Sequence, residues 1–442
     1  MDREIDRVAR MGSLTEMSIE RHLPKADEIE TTAVTISSGT VDITPERPLS
    51  LGGYAKRCSP FTGIADRLEA NVLVLGGENS RAIVVSMDLL YPGEALRTSL
   101  SARLGADEAW PGLFLSASHT HFAPMTCSSM PHLGPADSEY IRFVADRVAS
   151  LINSLESRRT ATLCSYHEGT AQHSMNRRSI GRRLTASGLV NGARWGPNPT
   201  GSRDETVRLL KFYDPDSTPL AIIWNYACHP NCFPKRRLIS AEYPGVVRSR
   251  LRQRYGDVPI LFLQGFCGDV RPPFLGASGI KGVARRILFG PQFRIPRLQE
   301  WELWSAGLAS AVEAAAESPS RKLRLRAPQF RRVEMAEQEF AVGGDGDKSL
   351  FWHVIDCGAF KIVGINAEPV VEYRRLLERY VDQAPVLSVG CLDQTHCYLP
   401  VDRMVAEGGY EVDGFRRLLS FNARFRNQLQ ESVLRRLKEA LL

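Results

Sequence analysis

ANVLVLGGENSRAIVVSMDLLYPGEALRTSLSARLGADEAWPGLFLSASHTH, residues 70–121, contains three short apolar runs, at 70–77, 82–88 and 112–118, each bounded by glycine, proline or charge. The runs are continuous rather than alternating, as expected of strands covered on both faces. Between the second and third, residues 93–110 predict a crossover helix. The fold class read from this stretch is α/β.

Strand and helix units continue in both directions. Upstream, "AVTISSGTVDITP" from Ala33 begins to alternate as a strand does. Residues 1–30 are polar and aperiodic, so they are expected to form an arm, with 31–442 as the folded domain. Downstream, Ile141, Val144, Val148, Leu151, Ile152 and Leu155 make one apolar stripe and predict a helix over 138–157. Strands are expected in "ETVRLLKFYD" (205–214), "PLAIIWNYACHP" (219–230) and "VPILFLQGFCGDV" (258–270), with a helix opened by Pro244 between the last two. Residues 277–296 are rich in Gly, Pro and Arg without a period, which suggests a long loop or lid. After them come a helix at 298–317, strands near 324–340 and 352–366, a helix from about Val370, the strand "PVLSVG", and a final helix over 416–442.

Composition narrows the function classes. The chain has 442 residues, of which 43% are hydrophobic and 24% charged, as in an ordinary globular protein able to bury a deep site. The net charge of +6 is modest and includes no dense run of Lys and Arg, so no nucleic-acid partner is expected. No apolar run has the length of a membrane span or the form of a secretory signal, so no membrane anchor is expected. Nine cysteines without CxxC pairs suit a reducing compartment, and the expected location is cytoplasmic. The oligomeric state is open.

Chemistry gathers at the ends of the apolar strands. His119 and His121 lie two apart, and if the strand persists through them their side chains share one face and can converge on a metal. His229 ends another apolar strand just before Pro230, repeating the pattern where loops of an α/β sheet form a pocket. Glu368 stands between a buried strand and a helix, either as a ligand or as a charge favouring the helix N-terminus. Tyr398 and Tyr410 follow another strand; a phenol beside a cation can ligate it or donate to an oxyanion. "QGFCGDVRPPF" (264–274) ends in a rigid turn expected to present Asp269 or Arg271 into a cleft.

Taken in order, these segments resemble the catalytic domain of the neutral, non-lysosomal ceramidases. "DITPERPLSLGGYAKR" is similar to that family's "DITGP…GYA", "SASHTHFAP" to its "THTHSGPGG", "MNRR" to "NRSP", "NYACHP" to "NFAVHP", "GFCGDVRPP" to "GDVSPN", "INAEPVVEY" to "PGEF", and "CYLP…EGGYEV" to its tyrosine-rich end. The order holds from Asp42 to Tyr410. The resemblance implies a mixed β-sheet core with surrounding helices and a zinc-dependent amidohydrolase acting on a small-molecule linear amide. It implies His119, His229, Glu368 and Tyr398 as ligands to Zn2+, with His121, Arg177 and Tyr410 as catalytic residues. The chain resembles a short relative without the C-terminal immunoglobulin-like domain.

The departures point away from ceramide. Arg271 stands where the family's "GDVSPN" has serine, and "FAPMT" replaces "SGPGG". A guanidinium there favours a substrate with a carboxylate or phosphate, so Arg271 and Asp269 are the expected substrate-binding residues. The residues do not separate amide cleavage from ester cleavage or amide formation, and a metal-stabilised binding protein without turnover is a further alternative.

Overall fold

The three runs at 70–118 form neighbouring strands of one sheet, and the reason for their continuous apolarity lies in what covers them. In the computed structural model of the protein, the described residues are 34–442 except 56, 58, 78–79, 106–111, 186–187, 277–289 and 382–383; side chains are described outside 182–191. The arm expected at 1–30 and most of the loop expected at 277–296 lie outside the described residues.

The first sheet contains β1 (Thr35–Asp42), β2 (Glu69–Gly76), β3 (Arg81–Met87), β4 (Leu113–Ala117) and β5 (Thr160–Ala161) in the order β4-β3-β2-β1-β5. The pairs β1–β2 and β2–β3 are antiparallel, whereas β3 and β4, joined through helix α1 (Glu94–Arg103), are parallel. Along β2, Ala70, Val72 and Val74 face α1 and α2 (Ser138–Leu155), and Leu73 and Leu75 face the centre of the protein. Side chains alternate across a strand, so a strand covered on both faces must be apolar at every position. The buried face of α2 carries Ile141, Val144, Val148, Ile152 and Leu155; the Asp137 side chain caps it by accepting from the Tyr140 N–H at 2.8 Å.

A second sheet repeats the plan with β6 (Leu163–Thr170), β9 (Thr206–Tyr213), β10 (Pro219–Tyr226), β11 (Ile260–Gln264) and β12 (Arg321–Leu323), in the order β11-β10-β9-β6-β12. The hairpin β7 (Met175–Thr185) and β8 (Gly188–Asn198) leaves it between β6 and β9. Here α3 (Glu242–Tyr255) links the parallel pair β10–β11, and α3 with α4 (Leu298–Glu317) covers the outer face. The third sheet, β13 (Gln329–Met335), β14 (Leu350–Asp356), β15 (Lys361–Ile365) and β16 (Val386–Val389), ends in the parallel pair β15–β16 around α5 (Glu372–Leu377). Helix α6 (Leu429–Leu441) covers it through Leu429, Val433 and Leu437.

The inner faces of all three sheets share one core that includes Leu73, Phe114, Phe212, Ile223, Ile355 and Leu387. Each sheet thus contributes one parallel strand–helix–strand crossover, and the loop after a strand of each crossover carries candidate site residues: His119 and His121 after β4, His229 after β10, Glu368 after β15. No sequence repeat announces this recurrence.

Three expectations need correction. The strand expected at 352–366 is two strands, because Asp356 accepts from the Gly358 N–H at 2.7 Å and Gly358, at φ 73°, turns the chain. The strand expected near 324–340 stops at Met335 and gives way to a short helix over Glu337–Phe340. The helix expected over 416–442 starts only at Leu429; Ser420 and Gln428 take left-handed backbone, and Phe415, Phe421 and Phe425 pack as one aromatic cluster.

Candidate metal centre

Strand β4 ends at Ala117, so His119 and His121 do not converge by strand alternation. His119 sits at φ 63°, a left-handed conformation that costs a non-glycine residue about 1 kcal/mol or more. Neighbouring hydrogen bonds hold it there: Ser118 N–H to Met87 O at 2.8 Å and Thr120 hydroxyl to Ser240 O at 2.8 Å. The turn directs both imidazoles toward His229, with ring centroids 4.9 Å (His119–His229) and 6.2 Å (His121–His229) apart.

All three rings are oriented alike. Nδ1 of His119 faces Leu90 O at 3.1 Å, Nδ1 of His121 faces Gly53 O at 2.8 Å and Nδ1 of His229 faces Val270 O at 3.0 Å. A backbone carbonyl beyond Nδ1 fixes the tautomer and leaves Nε2 free to ligate a metal or to accept a proton. One ligating atom from each ring lies within 4.8 Å of the others. The Nε2 atoms of His119 and His121 are buried and have no hydrogen-bond partner among the described residues.

Glu368 enters this group with Oε2 3.2 Å from His229 Nε2 and 3.6 Å from His119 Nε2, and the Tyr398 hydroxyl lies 3.4 Å from His229 Nε2. Glu368 and Tyr398 are side by side because their segments pair as a short parallel ladder. Four donors at about 2.1 Å from a tetrahedral ion are spaced about 3.4 Å from one another, so these three separations fit a tetrahedrally held divalent ion. The protonation states of the imidazoles and the carboxylate fit as well. Burial first, then Arg177, pushes His229 down to about 4, and burial holds His119 and, more strongly, His121 below the usual imidazole range. Burial alone would raise the Glu368 carboxyl, but His119 and His229 hold it down at about 2. Neutral imidazoles and an ionised carboxylate are the forms a metal requires.

The long hairpin β7–β8 supplies Arg177. Its NH1 is 3.4 Å from His229 Nε2, its guanidinium lies 4.4 Å from the Trp195 ring and 5.2 Å from Tyr410, and its buried NH2 has no partner among the described residues. Gly408 and Gly409, both at positive φ, turn the chain so that Tyr410 and Glu411 reach this guanidinium. A cleft of about 340 Å³ opens over His121, Arg177, His229, Tyr398 and Tyr410, with Tyr54, Arg236 and Arg271 also in its wall.

Of the expected site residues, His119, His121, His229, Glu368, Tyr398, Arg177 and Tyr410 come together, and Arg271 lies in the cleft wall with its buried Nε unpartnered among the described residues. Asp269 is placed differently. It is fully buried, with Oδ1 accepting from Val371 N–H at 2.8 Å and Oδ2 from Asn176 at 2.7 Å, so it braces the segments carrying Glu368 and Arg177 instead of facing the cleft. Sequence reading missed Tyr91, whose hydroxyl donates to Glu368 Oε1, and Glu411, Arg178 and Arg236. The one local signal was the acid in "EGGYEV", beside a residue already singled out.

Two solved structures share this architecture. A ceramidase complexed with C2 superposes with a TM-score of 0.71 over 93% of this chain and 75% of its own, and neutral ceramidase from Pseudomonas aeruginosa with 0.68 over 93% and 74%. The chain has a neutral-ceramidase-like fold. Sequence identity to both is 15%. No protein-family model and no curated protein matches the sequence.

Within this fold, Gly53 sets the position of His121. It sits at φ 94°, and a Cβ there would lie 2.5 Å from His121 Nδ1. Gly53→Ala is expected to displace the His121 imidazole while the content of bound divalent metal, measured by elemental analysis, stays near the wild-type value.

Proposed function

We propose that the protein is a zinc-dependent hydrolase cleaving an amide bond in a small N-acyl or peptide-like molecule that carries a negative group near the scissile bond, and that it works in the cytoplasm. The observation carrying this reading is the grouping of His119, His229, Glu368 and Tyr398, with donor separations of 3.2 Å (His229–Glu368), 3.4 Å (His229–Tyr398) and 3.6 Å (His119–Glu368), at a cleft with Arg177, Arg236 and Arg271 in its wall. When bound, zinc supplies Lewis acidity and a water of lowered pKa.

The remaining roles belong to the chain. His121, which lines the cleft and whose buried Nε2 is unpartnered among the described residues, takes a proton from the attacking water and returns it to the nitrogen as the C–N bond breaks. Arg177 NH2 and the Tyr410 hydroxyl donate to the oxyanion that forms as water oxygen bonds to the carbonyl carbon; each aligned donor contributes about 3 to 4 kcal/mol. Burial pushes the Tyr410 phenol up to about 12, which keeps its proton in place for donation. Arg271 and Arg236 anchor the anionic group. The small cleft, about 340 Å³, suits a compact substrate. The eight described cysteines are all unpaired, in keeping with a reducing compartment, and no described helix is long and apolar enough to cross a membrane.

The test is a screen of the zinc-loaded protein against N-acyl amino acids, short peptides and ceramide. Anionic amides are expected to be cleaved, with activity lost to chelator and restored by zinc, at about one zinc per chain. Equal turnover of charged and neutral analogues would remove the substrate assignment. Arg271→Ser is expected to raise KM about tenfold for anionic substrates while leaving neutral analogues unchanged, as steady-state kinetics on matched pairs would read.

A further inference from the structure

Two contiguous cavities of about 590 and 450 Å³ share Thr206, Arg208, Arg374 and Glu378 in their walls, and neither shares a residue with the cleft over the histidines. Arg208 projects from β9 and Arg374 from α5; their side chains are 6% and 8% exposed. The two cations are not equally compensated. Arg208 is paired with the largely buried Asp204, through NH1–Oδ2 at 2.8 Å and NH2–Oδ1 at 3.4 Å. Among the described residues the ion pair of Arg374 is with Glu378, 3.2 Å from NH2 and 55% exposed, with Asp204 acting on it at longer range, and its Nε and NH1 are buried without a hydrogen-bond partner among the described residues.

A buried guanidinium with two unsatisfied nitrogens and a second arginine beside it is costly unless an anion completes it. Burial, with Arg208 adding to it, pulls the Arg374 guanidinium below its ordinary range despite the opposing charges of Glu378 and Asp204, as expected of a cation that is only partly compensated. The donors approach from two elements, a strand and a helix, which matches an anion with oxygens in several directions.

We propose that Arg374 and Arg208 form a second ligand site, separate from the metal centre, that binds a small phosphate-bearing molecule. The smaller cavity adjoins the segments that carry Glu368 and Arg177. Val371, which lines the smaller cavity, donates its N–H to Asp269, and Asn176 joins Asp269 to Ser202 O of the same cavity at 3.1 Å. An anion bridging Arg374 to Arg208 therefore ties together the segments that lead from Glu368 and Arg177.

Calorimetric titration of the metal-loaded full chain with inorganic phosphate tests this on the wild type, Arg374→Gln, Glu378→Gln and Arg271→Ser. Arg374→Gln is expected to weaken phosphate binding about tenfold or more. Glu378→Gln, on the half-exposed competing acid, is expected to tighten it, and Arg271→Ser, which weakens any phosphate held in the histidine cleft, to leave the Arg374-dependent binding unchanged. Should Arg374→Gln not fold, as circular dichroism would report, the other two variants still decide. No binding by the wild type, indifference to Glu378→Gln, or loss of binding in Arg271→Ser would overturn the proposal, the last by placing phosphate in the histidine cleft.

Discussion

Replacing His229 by alanine is expected to strip the metal and abolish turnover, whereas replacing His121 by alanine is expected to leave the metal in place and lower kcat about 10²- to 10⁴-fold. The contrast follows from geometry. His229 Nε2 is the hub of the donor set, within 3.4 Å of Glu368 and Tyr398, while His121 makes no comparable approach to either. Partners lying beyond the ligands typically change affinity 10- to 100-fold, so loss of a ligand itself should exceed about 100-fold. Elemental analysis with competitive chelation reads the first effect and steady-state kinetics the second. Retained zinc in His229→Ala, or lost zinc in His121→Ala, would mean that the three imidazoles divide the work differently. The same donor set sets the pH response. A histidine with a lowered pKa stays neutral, and so able to ligate, until the pH falls to that value; zinc occupancy is therefore expected to hold through neutral and mildly acid pH and fall only toward about 4, the value for His229.

Much of this site was legible because its parts sit where local signals end. Apolar strands covered on both faces read as continuous runs, and His119, His229 and Glu368 are the polar residues that follow such runs. Tyr91 and Glu411 escaped for the opposite reason: their roles exist only through partners 277 and 234 residues away in the chain. The hairpin that delivers Arg177 and Trp195 was invisible because "NRRSIGRRLTASGLVNGARWG" has neither an apolar run nor alternation. His119 shows a subtler failure. The HxH spacing suggested convergence on the premise of a persisting strand, but the chain achieves it with a left-handed residue after the strand has ended. The spacing of side chains was informative although its presumed backbone was not the one used.

Glu411→Ala is expected to destabilise the protein by about 3 to 5 kcal/mol, because it leaves the buried Arg177 guanidinium without its counter-charge. Arg177 Nε donates to Glu411 Oε1 at 2.9 Å and Arg178 NH1 to Oε2 at 2.8 Å, and the side chains of all three residues are at most 3% exposed. Arg178 keeps Glu407 at 3.1 Å, but Arg177 has no other ion pair among the described residues. An exposed pair supplies the control: Glu313→Ala, which breaks the Arg250–Glu313 contact at 2.8 Å where Arg250 is 47% exposed, is expected to cost less than about 1 kcal/mol. Urea unfolding of both variants against the wild type measures the difference, and similar midpoints would show that Glu411 does not carry the pair. The same variant reaches the chemistry. Without Glu411 the Arg177 guanidinium loses the contact that holds it beside His229, so kcat is expected to fall while zinc stays bound. Stability and turnover should therefore drop together in Glu411→Ala, whereas His121→Ala, which removes the proposed proton carrier and no buried ion pair, should lower turnover alone.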